Sequence, residues 1–360
     1  MQIRIVPYEL VANDIEATHA AESAHDAEYK QAFNTCFHGL HEIEPLIPNT
    51  NIFQHASPPL GPYAYTLYLL LLAESQNLQD YHIIQIPTFL LEDLMLCHSS
   101  WVNTSNISDE LLDDVAEAWL SCKSGRELEK CFDGKKEWFI RLDQNSPKDS
   151  PLVRGSVRSL QEVIKKLCSS MRAYGSLHRE VDEATQAGRE VKVNMVLNPW
   201  NKNMDPGYEF RVFVPPPAAR GPKTPKNSFI KDFKIAAISQ YRWSKPFYTR
   251  RDWNMTDEQL AERVYCEAQD ILTAILHFAA DTLDIQTLAD LYKHGFTFDV
   301  SLQDASMVQL IEINPFGALS GCGGCLYNWI HDARLLYGLE NEVVFAITQE
   351  SNDDGPVCCC

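Results

Sequence analysis

The 360-residue chain has none of the short glycine motifs that announce the commonest nucleotide folds. It contains no G-x-x-x-x-G-K-[ST] loop and no G-x-G-x-x-G turn, so neither a P-loop nor a dinucleotide fold is supported. A G-x-S-x-G elbow is also missing, which removes the serine nucleophile held at a strand-to-helix turn. Positive charge is scarce: 31 Lys and Arg against 49 Asp and Glu leave a net charge of -18. That excludes a general nucleic-acid binder, which needs a basic face, but not a local basic pocket for a single nucleotide. Long apolar runs are missing too, since the most apolar one, Tyr65 to Ala73, is too short to span a bilayer. The opening residues carry early acids and no apolar segment, so we expect no secretory leader and a cytoplasmic location. There is no internal repeat, and no low-complexity stretch beyond the short cysteine-ended tail.

What is present suits an ordinary globular protein, long enough for two or three lobes with a proper core. Eleven cysteines in a cytosolic chain are expected to be reduced rather than paired. Cys322-Gly-Gly-Cys325, with His331 further on, has no second close pair to complete a four-ligand zinc site, and reads as a glycine loop with incidental thiols. Cys358 to Cys360 do not form a C-a-a-X box and have no polybasic stretch upstream.

The segment from Phe296 to Gly317, FTFDVSLQDASMVQLIEINPFG, carries the strongest chemical signal. Two strand-like runs flank Gln303-Asp304-Ala305-Ser306, and a hairpin centred between Ala305 and Ser306 sets Asp299 directly across from Glu312. Strand alternation puts Asn314 on the face of Glu312, with Ile311 and Ile313 turned toward a core. Two opposed carboxylates repel at cross-strand distance. A divalent cation removes that cost, and Mg²⁺ characteristically sits on a few protein oxygens and on substrate phosphates. Asp299, Glu312 and Asn314 are therefore the candidate metal ligands, set against a hairpin whose polar face is merely solvated.

The first half shows a break at Pro58 to Pro62, a strand running into a helix over Ile84 to Met95, and helical spacing from Leu111 to Leu120. Trp138 to Leu142 reads as a strand. Ser159 and Glu162 form a capping box ahead of an amphipathic helix, and Thr256 caps a second, longer one. Val191 to Leu197, Glu209 to Val214 and Phe233 to Tyr241 read as strands, joined in part by the basic loop Ala218 to Lys231. Strands that follow one another by hairpin-like steps indicate an α+β fold with a central antiparallel sheet. Two further groups of charged residues stand out. Arg141, Asp143, Lys148 and Asp149 crowd a polar turn straight after a strand, where an arginine fork and a lysine suit phosphate oxygens. Glu209 and Arg211 share one face of their strand, either as an ion pair or as a cofactor-facing couple.

RLDQNSPKDS, EFRVFV, AISQY, FTFDV and IEINPFG, in this order from about Phe139 to Trp329, resemble the cell division cycle protein 123 family. That family's motifs read P-K-L-N-W-S-A-P-[RK]-D, E-F-R-C-F-V, G-I-S-Q, F-D-[IV] and I-D-F-N-P-F-G. The resemblance implies an ATP-grasp-like fold of two lobes with a nucleotide cleft. Asp299, Glu312 and Asn314 would hold Mg²⁺, and Arg141, Asp143, Arg211, Ser239 and Gln240 would line the ATP site. The chain departs from the family pattern at three places. Arg141 stands for a lysine, Glu312 stands for an aspartate, and Leu197-Asn198-Pro199-Trp200 stands for L-R-K-W, removing two cations and one backbone donor near the expected adenine hinge.

The domain division expected from this is an amino-terminal lobe with a divergent insertion over 1–136, a nucleotide-binding core over 137–345 and a cysteine-ended tail over 346–360. The implied function is an Mg-ATP-binding assembly chaperone for eukaryotic translation initiation factor 2, with its gamma subunit as partner. The alternative from the same fold is an ATP-dependent carboxylate–amine ligase. A third reading is a binding protein that has lost nucleotide affinity.

Overall fold

The computed structural model describes residues 1–26, 29–36, 38–47, 57–220, 229–248, 253–304 and 307–350. Ala305, Ser306, most of the basic loop and the terminal cysteines therefore lie outside the described residues. Nine strands are described: β1 Gln2–Pro7, β2 His82–Ile86, β3 Trp138–Leu142, β4 Val193–Pro199, β5 Glu209–Val214, β6 Ala237–Gln240, β7 Phe296–Asp304, β8 Met307–Pro315 and β9 Val344–Gln349.

The chain divides into two compact units, one built from 1–63 with 203–360 and the other from 64–202. This differs from the expected division at 136. β3, expected to open the core, pairs with β4, which also pairs with β2 from the chain's first third. That three-stranded sheet, in the order β2-β4-β3, fixes the middle of the chain as a unit of its own.

In the middle unit, alternation sends Trp138, Ile140, Leu142, Met195, Leu197, Ile84 and Ile86 into one core with helical residues such as Leu90, Leu94, Trp119 and Ile164. The helix Asp109–Ser121 starts where Ser108 caps the Leu111 amide, with Asp109 and Glu110 favourably placed in its first turn. Ser159 caps Leu160–Cys168 as expected, accepting from the Glu162 amide. The Glu162 carboxylate does not close the box onto Ser159, and instead accepts the Arg158 amide at 2.6 Å.

The other unit holds a six-stranded sheet in the order β1-β9-β6-β5-β7-β8. Its β6-β5-β7-β8 part is antiparallel, as expected, while β9 pairs in parallel with both β1 and β6, so the whole sheet is mixed. The fold class is α+β. Phe210, Val212, Phe298, Val300, Ile313 and Phe345 are buried from one face of this sheet. The long helix Asp257–Thr282, started by a full Thr256/Gln259 capping box, contacts β8 and buries Leu260, Val264, Leu272 and Ile275. The opposite face is polar at its centre, and the segment 317–330 lies against it. Leu326 N donates to Ser239, and Tyr327 and Trp329 meet Phe213 edge-on.

Candidate functional site

The register of the six-stranded sheet aligns one residue from each strand: Arg4, Ala346, Ser239, Arg211, Asp299 and Glu312. Paired residues in a sheet project from the same face, so this row fixes the chemistry at the centre of the polar side. Asp299 stands opposite Glu312, the relation that counting outward from the hairpin centre predicts. The path to it is less regular than the count assumes. The register slips between Asp299 and Val300, leaving out Ile311, and slips back between Leu302 and Asp304, leaving out Gln303. One extra residue on each strand cancels the other. Ile313 is buried as expected, but Ile311, at the irregularity, is only half-buried.

Asn314 ties the two carboxylates together, its Nδ2 donating at 3.2 Å to Asp299 Oδ2 and at 3.2 Å to Glu312 Oε1. Asp299 is buried, and its two oxygens accept the Arg211 fork at 2.8 Å each, from Nε to Oδ1 and from Nη2 to Oδ2. Burial pushes the Asp299 carboxyl up, to about 6, against the pull of Arg211 and with Glu312 adding to the rise. Burial works against the Arg211 charge, but Asp299 and the Cys322 sulfur hold its pKa well above the usual arginine value.

The whole Arg211 guanidinium is thus engaged within the protein. Its carboxylate partner comes from β7, and Nη1 is spent on Cys322 Sγ and the Gly323 carbonyl, each at 3.0 Å. The guanidinium also lies over the Tyr241 ring, 5.0 Å from its centre. Cys322-Gly-Gly-Cys325 is therefore a loop that receives an arginine. Among the described residues no group of three or more His, Cys, Asp or Glu side chains could hold a metal ion.

Ser239 and Gln240, expected to line the ATP site together, project from opposite faces of the sheet, as adjacent strand residues do. Ser239 pairs with Arg211 and Gln240 with Phe210. The Ser239 hydroxyl donates to the Gln240 carbonyl and accepts the Leu326 amide. Gln240 spends its whole amide on the protein. Nε2 donates to the carbonyls of Arg242 and Lys245, and Oε1 accepts from the Thr348 amide and hydroxyl.

In the middle unit, Arg141 is buried and its guanidinium stacks on Tyr65, 3.9 Å from the ring centre. Asp143 does not project freely toward a ligand. Its Oδ1 accepts the Thr66 amide at 2.9 Å and hydroxyl at 2.6 Å, and Oδ2 accepts Asn194 Nδ2 at 3.1 Å. Asp143 therefore positions Tyr65, and Tyr65 positions Arg141. The turn that follows is pinned to the helix Met171–Ala187, where Arg172 donates to the Ser146 carbonyl and to Asn145 Oδ1. Tyr65 is not legible as a partner of Arg141 in the sequence, because it opens the apolar run Tyr65 to Ala73 and nothing in its neighbourhood pairs it with Arg141.

The donor set of the hairpin suits a hard cation. It offers two carboxylates and no sulfur, and Asn314, whose Nδ2 now donates to both carboxylates, would add an oxygen ligand with its amide turned over so that Oδ1 faces them. The arrangement defines an α+β protein with a carboxylate–amide cluster on one sheet and a buried, aromatic-stacked arginine on the other. No family model matches the chain, and no curated protein matches it. Among solved structures the chain is similar to Cdc123 from Schizosaccharomyces pombe, with 18% identity and a TM-score of 0.48, over 84% of this chain and 98% of that one. It is also similar to a C-terminally truncated Cdc123 from the same organism, with 18% identity and a TM-score of 0.49, over 80% of this chain and 96% of that one. No helix among the described residues is long and apolar enough to cross a membrane.

Proposed function

We propose that this protein binds Mg-ATP and serves as an assembly factor for eukaryotic translation initiation factor 2, acting on the gamma subunit. The observation that carries the nucleotide half is the opposition of Asp299 and Glu312 on neighbouring strands with Asn314 joined to both. Asp299, Glu312 and Asn314 would hold the metal, which when bound offsets the negative charge of the nucleotide phosphates. Arg211 keeps the buried Asp299 oriented and charged. The partner half rests on the five motifs that resemble the cell division cycle protein 123 family. The ligase alternative needs a cation to hold an acyl phosphate, and Arg211, the candidate for it on this sheet, is spent on Asp299 and the Cys322 loop.

Asp299→Ala is an ambiguous probe because it strands a buried arginine, so Glu312→Gln is the better test. Titration calorimetry of the variant with Mg-ATP should show affinity weaker by roughly tenfold or more, a loss of at least one charge-assisted contact. Unchanged affinity would remove the metal assignment. Tagged protein recovered from its own host should carry the gamma subunit in stoichiometric amount, and its absence despite intact Mg-ATP binding would remove the partner.

A further inference from the structure

Gln309 on β8 stands three residues before Glu312, so strict strand alternation would put the two on opposite faces. The irregularity at Ile311 reverses that. With Ile311 left out of the register, Glu312 pairs with Asp299 and Gln309 with Ser301, two residues further along β7, so Gln309 projects from the face of the carboxylates. Bulges commonly re-aim a side chain beside a functional site. Ser301 pairs in turn with Glu209, whose carbonyl accepts the Tyr241 amide, so Tyr241, Glu209, Ser301 and Gln309 form the row next to that of Arg211, Asp299 and Glu312. The Cys322 loop lies on the other flank of the carboxylates, against Thr297. Gln309 is 6% exposed, and its amide has no hydrogen-bond partner among the described residues. Its neighbour Ser301 is buried, with its hydroxyl accepting Gln303 Nε2 at 2.7 Å. A long polar side chain packed away from water with its amide unspent calls for a reason.

We propose that Gln309 is a positioning residue for the cation of the Asp299–Glu312 pair, its Oε1 accepting from the ion's hydration shell, a reading that rests on the Mg-ATP function above. Mg²⁺ dehydrates reluctantly and keeps several waters, whose protons need acceptors. Neighbouring residues on one face of a strand stand about 7 Å apart, a step that suits contact through water rather than direct ligation. An amide is uncharged, so it adds an acceptor without adding to the repulsion between the two carboxylates. All of these groups belong to one compact unit, the one built from 1–63 with 203–360. Groups that support a metal's ligands from outside typically change metal affinity by about 10–100-fold when removed.

The probes are Mg-ATP and ATP freed of metal by EDTA, titrated by calorimetry against wild type, Gln309→Met and Gln309→Glu. Methionine keeps the length and apolar stem of glutamine and removes the amide. No protein hydrogen bond is lost, so its thermal unfolding without ligand should match wild type or move up. It should bind Mg-ATP about tenfold or more weakly than wild type, and metal-free ATP within about twofold. Gln309→Glu keeps an acceptor but no amide donor, and should bind Mg-ATP within about threefold of wild type. The glutamate variant decides where the methionine variant does not fold or metal-free ATP is too weak to titrate. Equal losses of Mg-ATP and metal-free ATP by the methionine variant, or a tenfold loss of Mg-ATP by the glutamate variant, would make the amide a donor to phosphate and overturn the proposal. A methionine variant that melts well below wild type would show that the amide serves the fold, and would overturn it too. Unchanged Mg-ATP affinity in the methionine variant overturns the proposal and leaves the Mg-ATP reading standing, whereas a wild type that binds no Mg-ATP overturns both.

Discussion

Arg211 and Asp299, 88 residues apart, meet as a buried bidentate pair from neighbouring strands, with both bonds at 2.8 Å. The pair sits at the centre of the polar face, where Asp299 is also joined to Glu312 through Asn314. The same guanidinium holds the Cys322 loop. Breaking the pair from one side leaves a charge stranded away from water. Asp299→Leu or Arg211→Met alone should cost about 3–5 kcal/mol in denaturant unfolding, and the double replacement clearly less than the sum of the two. Additive costs would mean that the two groups do not depend on each other.

The glycines of the Cys322 loop are set by close approach. A Cβ at Gly324 would lie 2.5 Å from the Tyr327 carbonyl oxygen, which is backbone and has little room to move. At Gly323 it would meet Asn34 Oδ1 at 2.2 Å, the end of a side chain that now accepts the Cys325 amide. Gly324→Ala should therefore destabilise by about 1–3 kcal/mol, and Gly323→Ala by about 1 kcal/mol as Asn34 swings away. The reverse order in chemical unfolding would contradict this account of the loop.

Gln240 clamps β9 and the turn after β6 through four hydrogen bonds. Gln240→Leu should lower stability by about 2–4 kcal/mol, because several of its backbone partners are left without a mate. Mg-ATP affinity of the folded variant should stay at the wild-type value. A fall in affinity with unchanged stability would restore Gln240 to the ligand site.

Glu137 gives the acid limb a marker. Its carboxylate accepts from Ser156 at 2.8 Å and lies against Arg158 and Lys202, and Ser156 first, then the two cations, hold its pKa down at about 2. The unfolded chain binds a proton near the ordinary carboxylate value, so the folded state gains stability from this group above that value. The gain is lost as pH falls toward about 2. Unfolding followed from neutral pH to pH ~2.5 should show a shallower acid loss for Glu137→Gln than for wild type. Parallel curves would exclude Glu137 from acid sensitivity.

The sequence by itself determined the opposition of Asp299 and Glu312, because a hairpin is a local object. Its pairing can be counted from its own centre, and the two register slips cancel before Asp299 is reached. It also determined that β5 alternates and that Thr256 starts a long helix, since period and capping are read from adjacent residues. Only the tertiary structure decided what those side chains do. Arg211 faces Asp299 because β5 lies beside β7, Ser239 and Gln240 part company because of the face each inherits from β6, and Arg141 stacks on Tyr65 through a turn that Asp143 holds. The unit boundaries belong to the same class, since they follow from β2 and β3 both joining β4. Strand neighbours are chosen by burying whole faces against one another across long stretches of chain, and local spacing carries no record of that choice.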